Sequence, residues 1–474
     1  MCSSDLVNIP GSGAHNVVYV ATENDTVYAF DADTQQPALW QRSLIAAGEQ
    51  AFPDSVAKGG NIKPVIGITS TPVIDCASYT MWVVAKTMSV LDGTVYNRLY
   101  AIDISTGADR PGSPVEIQGS YPSSTYFVSF STNLQMNRPA LLLLGGRIYI
   151  GFGSHSDALK GWRGWVFAYD ATTLKRVGVF CTAPDEAEGS VWQGGMGLAA
   201  DPEGFVYFMT GNGPWDGKTN YGDTALKLPA NLTVVADFFT PPNRDDLERH
   251  DCDFGSGGPL ILPDPPLLSG LPLAMVVCGK DGQIYLIDRR NMKAPLKVVP
   301  LPGSPPIFKN YGKKGYVWDY GDGPGVWGGP AYFESSSGQK FIYYCGNGES
   351  GGGGNLMAFI FSGNSLSQSY IGSKPNQSAM RFPSPVVSGL QSGGTTPVVS
   401  SNQHNTGTGV VWAIVRSNPL QLVAFDATDL TKGPLFGPVA AGPWNDYGGA
   451  FIEPTVIQGK VYVPSDGQLN VFGL

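Results

Sequence analysis

Apolar and polar positions alternate in short runs along this chain, and the runs come in groups. In residues 16–34, Val18 and Val20, then Val27 and Ala29, recur at the two-residue period of a strand. Glu23, Asn24 and Asp25 supply turn chemistry between the two runs, and Asp31-Ala32-Asp33-Thr34 closes the second. The same grammar returns along the whole chain. A small-residue or proline entry leads into a first apolar strand. A second strand ends in glycine or a polar loop, and a third has the Val-Tyr-Ala-Phe-Asp form. A fourth strand is less regular.

Read this way, the first repeat is the 16–34 hairpin, with 38–44 as its fourth strand and 6–10 as what remains of its first. Later entries begin at Gly67, Asn137, Trp192, Gly255, Val326, Ser392 and Glu453. Third strands close at 99–103, 166–170, 225–228, 284–288, 356–359, 422–426 and 469–473, and 225–228 (Ala-Leu-Lys-Leu) is a degenerate copy. Eight such units predict an all-β chain, an eight-bladed propeller of four-stranded antiparallel blades, with seven blades as the alternative count. Glycine in the entry strand lets neighbouring sheets approach, and proline is tolerated where a strand begins. The pattern predicts one propeller domain over 1–474. It also predicts that the N-terminus is truncated within blade one, since the first repeat nearly lacks its first strand and the last lacks its fourth.

Composition agrees. Charged residues are 15% of the 474, aromatic residues 11%, and there are 62 glycines and 37 prolines, which suits many short strands and turns. The net charge is −9 with no Lys/Arg stripe, which argues against nucleic acid as a partner. No apolar run is long enough for a spanning helix, and residues 1–5 have no signal-peptide pattern. The six cysteines include no adjacent pair, no C-x-x-C and no C-x-x-C-H, so no zinc, redox or covalent-haem motif is readable, and a disulfide stays possible.

Val27-Tyr28-Ala29-Phe30-Asp31, the run Leu99-Tyr100-Ala101-Ile102-Asp103-Ile104-Ser105-Thr106-Gly107, and Ile284-Tyr285-Leu286-Ile287-Asp288 resemble the pyrroloquinoline-quinone-type repeat over nearly the whole chain. The resemblance implies a quinoprotein-like eight-bladed propeller, usually exported, hence periplasmic or extracellular. Some members are quinone-dependent alcohol or sugar dehydrogenases, and others bind proteins and carry no cofactor. Gly153-Ser154-His155, Trp192-Gln193-Gly194-Gly195, Thr210-Gly211-Asn212-Gly213 and Gly255-Ser256-Gly257-Gly258 resemble bacterial members with no assigned reaction. The adjacent-cysteine disulfide of methanol-oxidising members is absent.

In a propeller, the loops between second and third strands open on the same face as the strand entries. The first set carries Glu23, Lys86, His155, Asp157, Asn212, Asp216, Lys280, Asp281, Glu349 and Arg416. The second carries Arg138, Trp192, Gln193, Asp251, Asp253, Trp327 and Glu453. This mixed-charge mouth with aromatic walls suits a small polar ligand or a protein segment. His155 is a candidate general base oriented by Asp157, or a hydrogen-bonded structural histidine. Asp253 is a candidate proton acceptor or metal ligand, or a loop-ordering group. Asp216 and Asp223 are candidate calcium ligands without the full loop signature, or turn residues. Trp192, Trp318 and Trp327 offer stacking faces for a sugar or quinone ring, or pack between blades. Lys280 and Arg416 are placed to hold an anionic quinone carboxylate, or are solvated loop charges. Arg138, Gln193, Asn212 and Glu453 complete the candidate cofactor set. Two readings follow. One is a non-catalytic propeller binding a ligand or partner. The other is a dehydrogenase using pyrroloquinoline quinone and possibly calcium.

Overall fold

The computed structural model describes residues 6–59, 62–156, 159–264, 273–301, 325–346, 354–362, 365–368, 370–371, 374–382, 386–387, 390–391, 394–403, 405–444 and 451–473. The chain is nearly all β, and its sheets follow one another as the blades of an eight-bladed propeller. It divides into two compact units. Unit 1 comprises 1–192, 214–220 and 229–234 and carries blades one to three. Unit 2 comprises 193–213, 221–228 and 235–474 and carries blades four to eight.

The predicted strands are present. Blade one is Leu6–Ile9, Gly13–Ala21, Thr26–Asp31 and Trp40–Ser43, paired in that order. The degenerate 225–228 run is a strand, paired on both sides by Val206–Met209 and Asp237–Phe239. The last blade has three described strands, Thr455–Ile457, Lys460–Ser465 and Gln468–Gly473. Blade two is enlarged. Its second strand, Thr80–Ser89, also pairs with an inserted strand, Glu49–Pro53, which pairs in turn with Val65–Ile66. A short helix, Asp54–Ala57, follows that inserted strand.

The repeated residues have physical jobs. Where a third strand ends in aspartate, that side chain folds the next turn. Asp31 accepts from the Asp33 and Thr34 amides, Asp170 from Thr172 and Thr173, and Asp426 from Thr428. Tyr100 and Tyr343 bury their rings and send the hydroxyl to a carbonyl of an adjoining blade, Leu44 at 2.9 Å and Ala427 at 2.5 Å, whereas Tyr207 and Tyr285 donate to Asp201 and Asp281 within their own blades. Apolar clusters lie between successive blades, one joining Val27, Met81, Val83 and Ile102 in unit 1 and another joining Val276, Leu286, Ile342 and Phe359 in unit 2. Each fully buried side chain of this size contributes about 1.5–3 kcal/mol, so the blade seams hold each unit together.

Candidate functional site

One register position recurs. Val17, Thr80, Ala274 and Val410 each face the closing aspartate of a third strand. Six residues further along their own strands lie Glu23, Lys86, Lys280 and Arg416. The blade geometry therefore delivers a charged side chain to the same end of the sheet in four blades. Lys86 is part of its strand, Thr80–Ser89, and not of the loop after it as the sequence reading has it.

In unit 2 this position organises a polar cluster. Lys280 is 4% exposed. Its ammonium donates to Asp253 Oδ2 at 2.6 Å and to the Asp251 carbonyl at 3.0 Å, and lies 4.7 Å from the centre of the Trp327 ring. Burial opposes the charged ammonium, but the Asp253 and Asp251 carboxylates more than offset it and hold Lys280 above the ordinary lysine range. Asp253 Oδ1 accepts from the Asn212 amide at 2.9 Å, and Asn212 Nδ2 donates to Asp251 at 3.1 Å. Asn212 Oδ1 is buried without a hydrogen-bond partner. Asp223, fully buried, accepts from the Phe254 amide through Oδ1 while Oδ2 has no partner. Burial, then the Asp253 charge, push its carboxyl well above the carboxylate range. The cluster is thus a fixed ion pair beside a buried acid of raised pKa, an amide oxygen without a partner and a half-buried indole.

The other unit 2 candidates stand apart in chemistry. Gln193 is fully buried and spends both ends of its amide on the fold: Nε2 donates to the Gly197 carbonyl and Oε1 accepts from the Met209 amide. Arg416 is buried and donates to the Gly394 carbonyl, and burial lowers its guanidinium to about 10. Glu453 carries a buried Oε1 without a partner, and burial lifts its carboxyl to about 8. A Cβ on Gly195 would stand 2.7 Å from that oxygen, at a φ of +68°, so glycine is required there.

Unit 1 assembles a second cluster. Glu23 accepts from the Gly67 amide and the Thr69 hydroxyl, at 2.8 and 3.0 Å. Asp25 is fully buried, and its Oδ1 accepts from the Lys86 amide. Lys86 donates to the Thr132 and Gln135 carbonyls, at 2.5 and 3.0 Å, and its ammonium lies 4.5 Å from the centre of the Phe52 ring. His155 stacks on the same ring at 5.3 Å between centres. Both His155 ring nitrogens are buried, and the Gln135 backbone lies in hydrogen-bonding reach of the ring. Burial lifts Asp25 to about 8 and lowers Lys86 to about 7. Burial, then the charges of Lys86 and Arg138, hold His155 well below the ordinary histidine range. Arg138 is therefore in electrostatic reach of His155, and it also acts on Glu23. Asp157, the expected orienting partner of His155, lies outside the described residues, as do Glu349 and Trp318. Trp192 is half-buried, against the Gly153 backbone.

Asp216, in unit 1, accepts from the amides of Lys218, Thr219 and Asn220 and orders its own loop. Asp223 belongs to unit 2. Among the described residues no group of three His, Cys, Asp or Glu side chains is placed to share a metal ion. The donor set does not fit a carboxylate-built calcium site there. The buried cations Lys280 and Arg416 already meet protein acceptors, so they do not fit free receptors for quinone carboxylates as built. No helix among the described residues is long and apolar enough to cross a membrane.

Sequence reasoning missed Asp25, Phe52 and the pairing of Lys280 with Asp253. The six-residue offset from the strand register is the signal that finds the charged position. Phe52 carries none, because it lies in an insertion outside the repeat.

No family model matches the chain, and no curated protein does. Among solved structures, the chain is similar to a quinohemoprotein alcohol dehydrogenase, ADHIIG, from Pseudomonas putida HK5. The identity is 17% and the TM-score 0.57, over 95% of this chain and 68% of that one. A europium-containing methanol dehydrogenase is similar at 15% identity and a TM-score of 0.54, over 90% of this chain and 77% of that one. At these identities the likeness is one of fold, the quinoprotein-like propeller.

Proposed function

We propose that this chain is an exported, quinoprotein-like propeller that binds a small polar ligand through the Lys280–Asp253–Asn212–Trp327 cluster of unit 2. The observation that carries the reading is the buried, unpartnered Asn212 Oδ1 beside an ion pair already fixed by the fold. A buried acceptor without a partner costs about 1–3 kcal/mol. A ligand donor that reaches it recovers that cost without moving the pair. Trp327 supplies a flat apolar wall, and the polar groups around it give orientation. Export to the periplasm or beyond is supported by the disulfide at Cys76.

A second reading is a pyrroloquinoline quinone-dependent alcohol or sugar dehydrogenase, and the fold likeness to two dehydrogenases supports it. The commitment of Lys280 and Arg416 to protein acceptors weighs against it. One titration separates the two. Tryptophan fluorescence is followed while pyrroloquinoline quinone is added with and without calcium, and dye reduction is then assayed with alcohols and sugars. Saturable quinone binding with turnover establishes the dehydrogenase. No quinone binding at micromolar concentration, together with a fluorescence response to a small polar ligand that Asn212→Ala and Trp327→Leu abolish, establishes the binding protein. A propeller that answers neither the quinone nor a panel of sugars, polyols and amino acids contradicts both.

A further inference from the structure

In blades two, five and seven the aspartate that closes the third strand spends Oδ1 on the next turn. Its Oδ2 takes an arginine or a lysine: Asp103 pairs with Arg110 at 3.1 Å, Asp288 with Arg290 at 2.9 Å and Asp426 with Lys432 at 3.0 Å. Blade one departs from this. Asp31 Oδ1 accepts from the Asp33 and Thr34 amides, but Oδ2 lies 2.6 Å from His15 Nδ1. Unlike arginine or lysine, histidine takes up and releases a proton near neutral pH. Its other nitrogen, Nε2, lies 2.8 Å from Ser12 Oγ. A serine, a histidine and an aspartate are therefore joined in one hydrogen-bonded line.

Local structure puts the serine in the open. Leu6–Ile9 and Gly13–Ala21 pair antiparallel, with Ile9 opposite Gly13 and Val7 opposite His15. The Ser12 amide closes the turn between them by donating to the Ile9 carbonyl at 3.0 Å, with Pro10 at the first corner and Gly11, at φ +80°, at the second. Ser12 is exposed, and a Cβ on Gly11 or Gly13 would meet nothing within 4 Å, which leaves room beside the hydroxyl. The His15 and Asp31 side chains are more covered, at 17% and 9% exposure. Burial opposes the Asp31 charge, but the His15 bond and the Asp33 and Thr34 amides outweigh it and hold the carboxyl below the carboxylate range.

We propose that Ser12, His15 and Asp31 form an acyl-transfer centre that hydrolyses small carboxylic esters. The Asp31 carboxylate fixes the ring proton on Nδ1, so Nε2 accepts from the Ser12 hydroxyl and serves as its base. Ser12 Oγ bonds to the acyl carbon as its proton passes to Nε2. The C–O bond to the alcohol then breaks, and the alcohol oxygen leaves with that proton. Water attacks the acyl-serine in the same way and gives a proton to Nε2. The carboxylic acid departs as that proton returns to Ser12 Oγ. The Ser12 carbonyl lies 3.2 Å from Nε2 and accepts from it while the ring holds the extra proton. Among the described residues, the turn around Ser12 is built of proline, glycine and serine and offers no wall for a long chain, so the substrate is an ester of a short acid. The centre lies in unit 1 and does not rest on the reading of the unit 2 cluster.

The test uses the full chain, with p-nitrophenyl acetate as substrate and a fluorophosphonate as covalent probe, read by mass spectrometry of the Ser12 peptide. Wild type is expected to hydrolyse the ester and to carry the phosphonyl group on Ser12. Ser12→Ala, a change on an exposed turn, is expected to keep the melting temperature and to lose the labelling and most of the hydrolysis. His15→Gln is expected to slow labelling roughly a hundredfold. Asp31 acts through His15 as a positioning residue, so its readout is spectroscopic. ¹⁵N-histidine spectra are expected to place the His15 proton on Nδ1 in wild type. In Asp31→Asn, whose side-chain oxygen still accepts from the turn amides, the proton is expected on Nε2 and labelling slows. No phosphonylation of Ser12 at millimolar probe, or ester hydrolysis at the wild-type rate in Ser12→Ala, overturns the centre. Undiminished labelling in His15→Gln overturns the base, and an unchanged tautomer in Asp31→Asn overturns the positioning role.

Discussion

Lys86 and Lys280 occupy the same register position in two blades, and both are buried, at 3% and 4% exposure. Their environments pull them in opposite directions. Lys280 meets a carboxylate at 2.6 Å and stays charged beyond the ordinary lysine range. Lys86 meets two carbonyl oxygens and an aromatic ring, and burial brings it down to about 7. Backbone carbonyls and a ring face satisfy the donors of an ammonium but do not cancel its charge. The fold thus repeats a position and leaves its electrostatics to the carboxylate that a nearby loop supplies, the blade-five entry loop in unit 2 and the blade-one turn in unit 1. Unit 2 supplies Asp253, and unit 1 supplies Asp25, which burial keeps largely protonated.

The largest break in this comparison comes from removing the carboxylate. Asp253→Ala leaves Lys280 charged and buried with the Asp251 carboxylate 4.0 Å away as its nearest counter-charge, and is expected to cost about 3–5 kcal/mol in urea unfolding. Asp253→Ala combined with Lys280→Met should recover much of that loss, because no uncompensated charge remains.

The pH dependence comes next. Lys86 has a folded pKa below its unfolded one, so the unfolded state binds more protons between about pH 7 and 10. Its contribution to stability therefore rises with pH across that window. Asp25 has a raised folded pKa, so its contribution falls from about pH 4 to 8 and is spent above that. From pH 8.5 to 10, wild type should gain stability over Lys86→Met by up to about 1.4 kcal/mol per pH unit. Lys280 has a raised folded pKa, so its contribution is fully present below the unfolded value near 10.4 and is lost as pH rises from there through the folded value. The gap between wild type and Lys280→Met should stay flat over the same window, and denaturation midpoints at four pH values measure both gaps.

Two smaller effects sharpen the picture. Asn212→Ala removes the bond to Asp251 but also removes a buried unpartnered oxygen, so its net cost should be only about 1 kcal/mol while ligand binding is lost. Asp216→Ala removes a loop-ordering acceptor on an exposed turn. It should change global stability by less than about 0.5 kcal/mol, with faster amide exchange confined to Lys218, Thr219 and Asn220.

The blades were legible because their signal is local. Val27-Tyr28-Ala29-Phe30-Asp31 states a strand, a buried ring and a turn within five residues, and each recurs. The charged position was legible in part, since Lys280 and Arg416 stand out in an apolar repeat. Their partners did not, because Lys280 and Asp253 are 27 residues apart and meet only once the entry loop of blade five folds beside its second strand. Phe52 and Ile66 follow no repeat grammar, so the blade-two insertion that brings Phe52 against His155 had no periodic signal. Gln193 looked like a ligand residue because amides serve both roles, and only its contacts to Gly197 and Met209 assign it to the fold.

Direct observation of the two ammonium groups tests the account most closely. In protein labelled with ¹⁵N-lysine and assigned through Lys86→Met and Lys280→Met, the account predicts that the Lys86 Nζ resonance titrates near pH 7 while that of Lys280 remains charged beyond pH 10. Two lysines that both titrate at the ordinary value near 10.4 would contradict it.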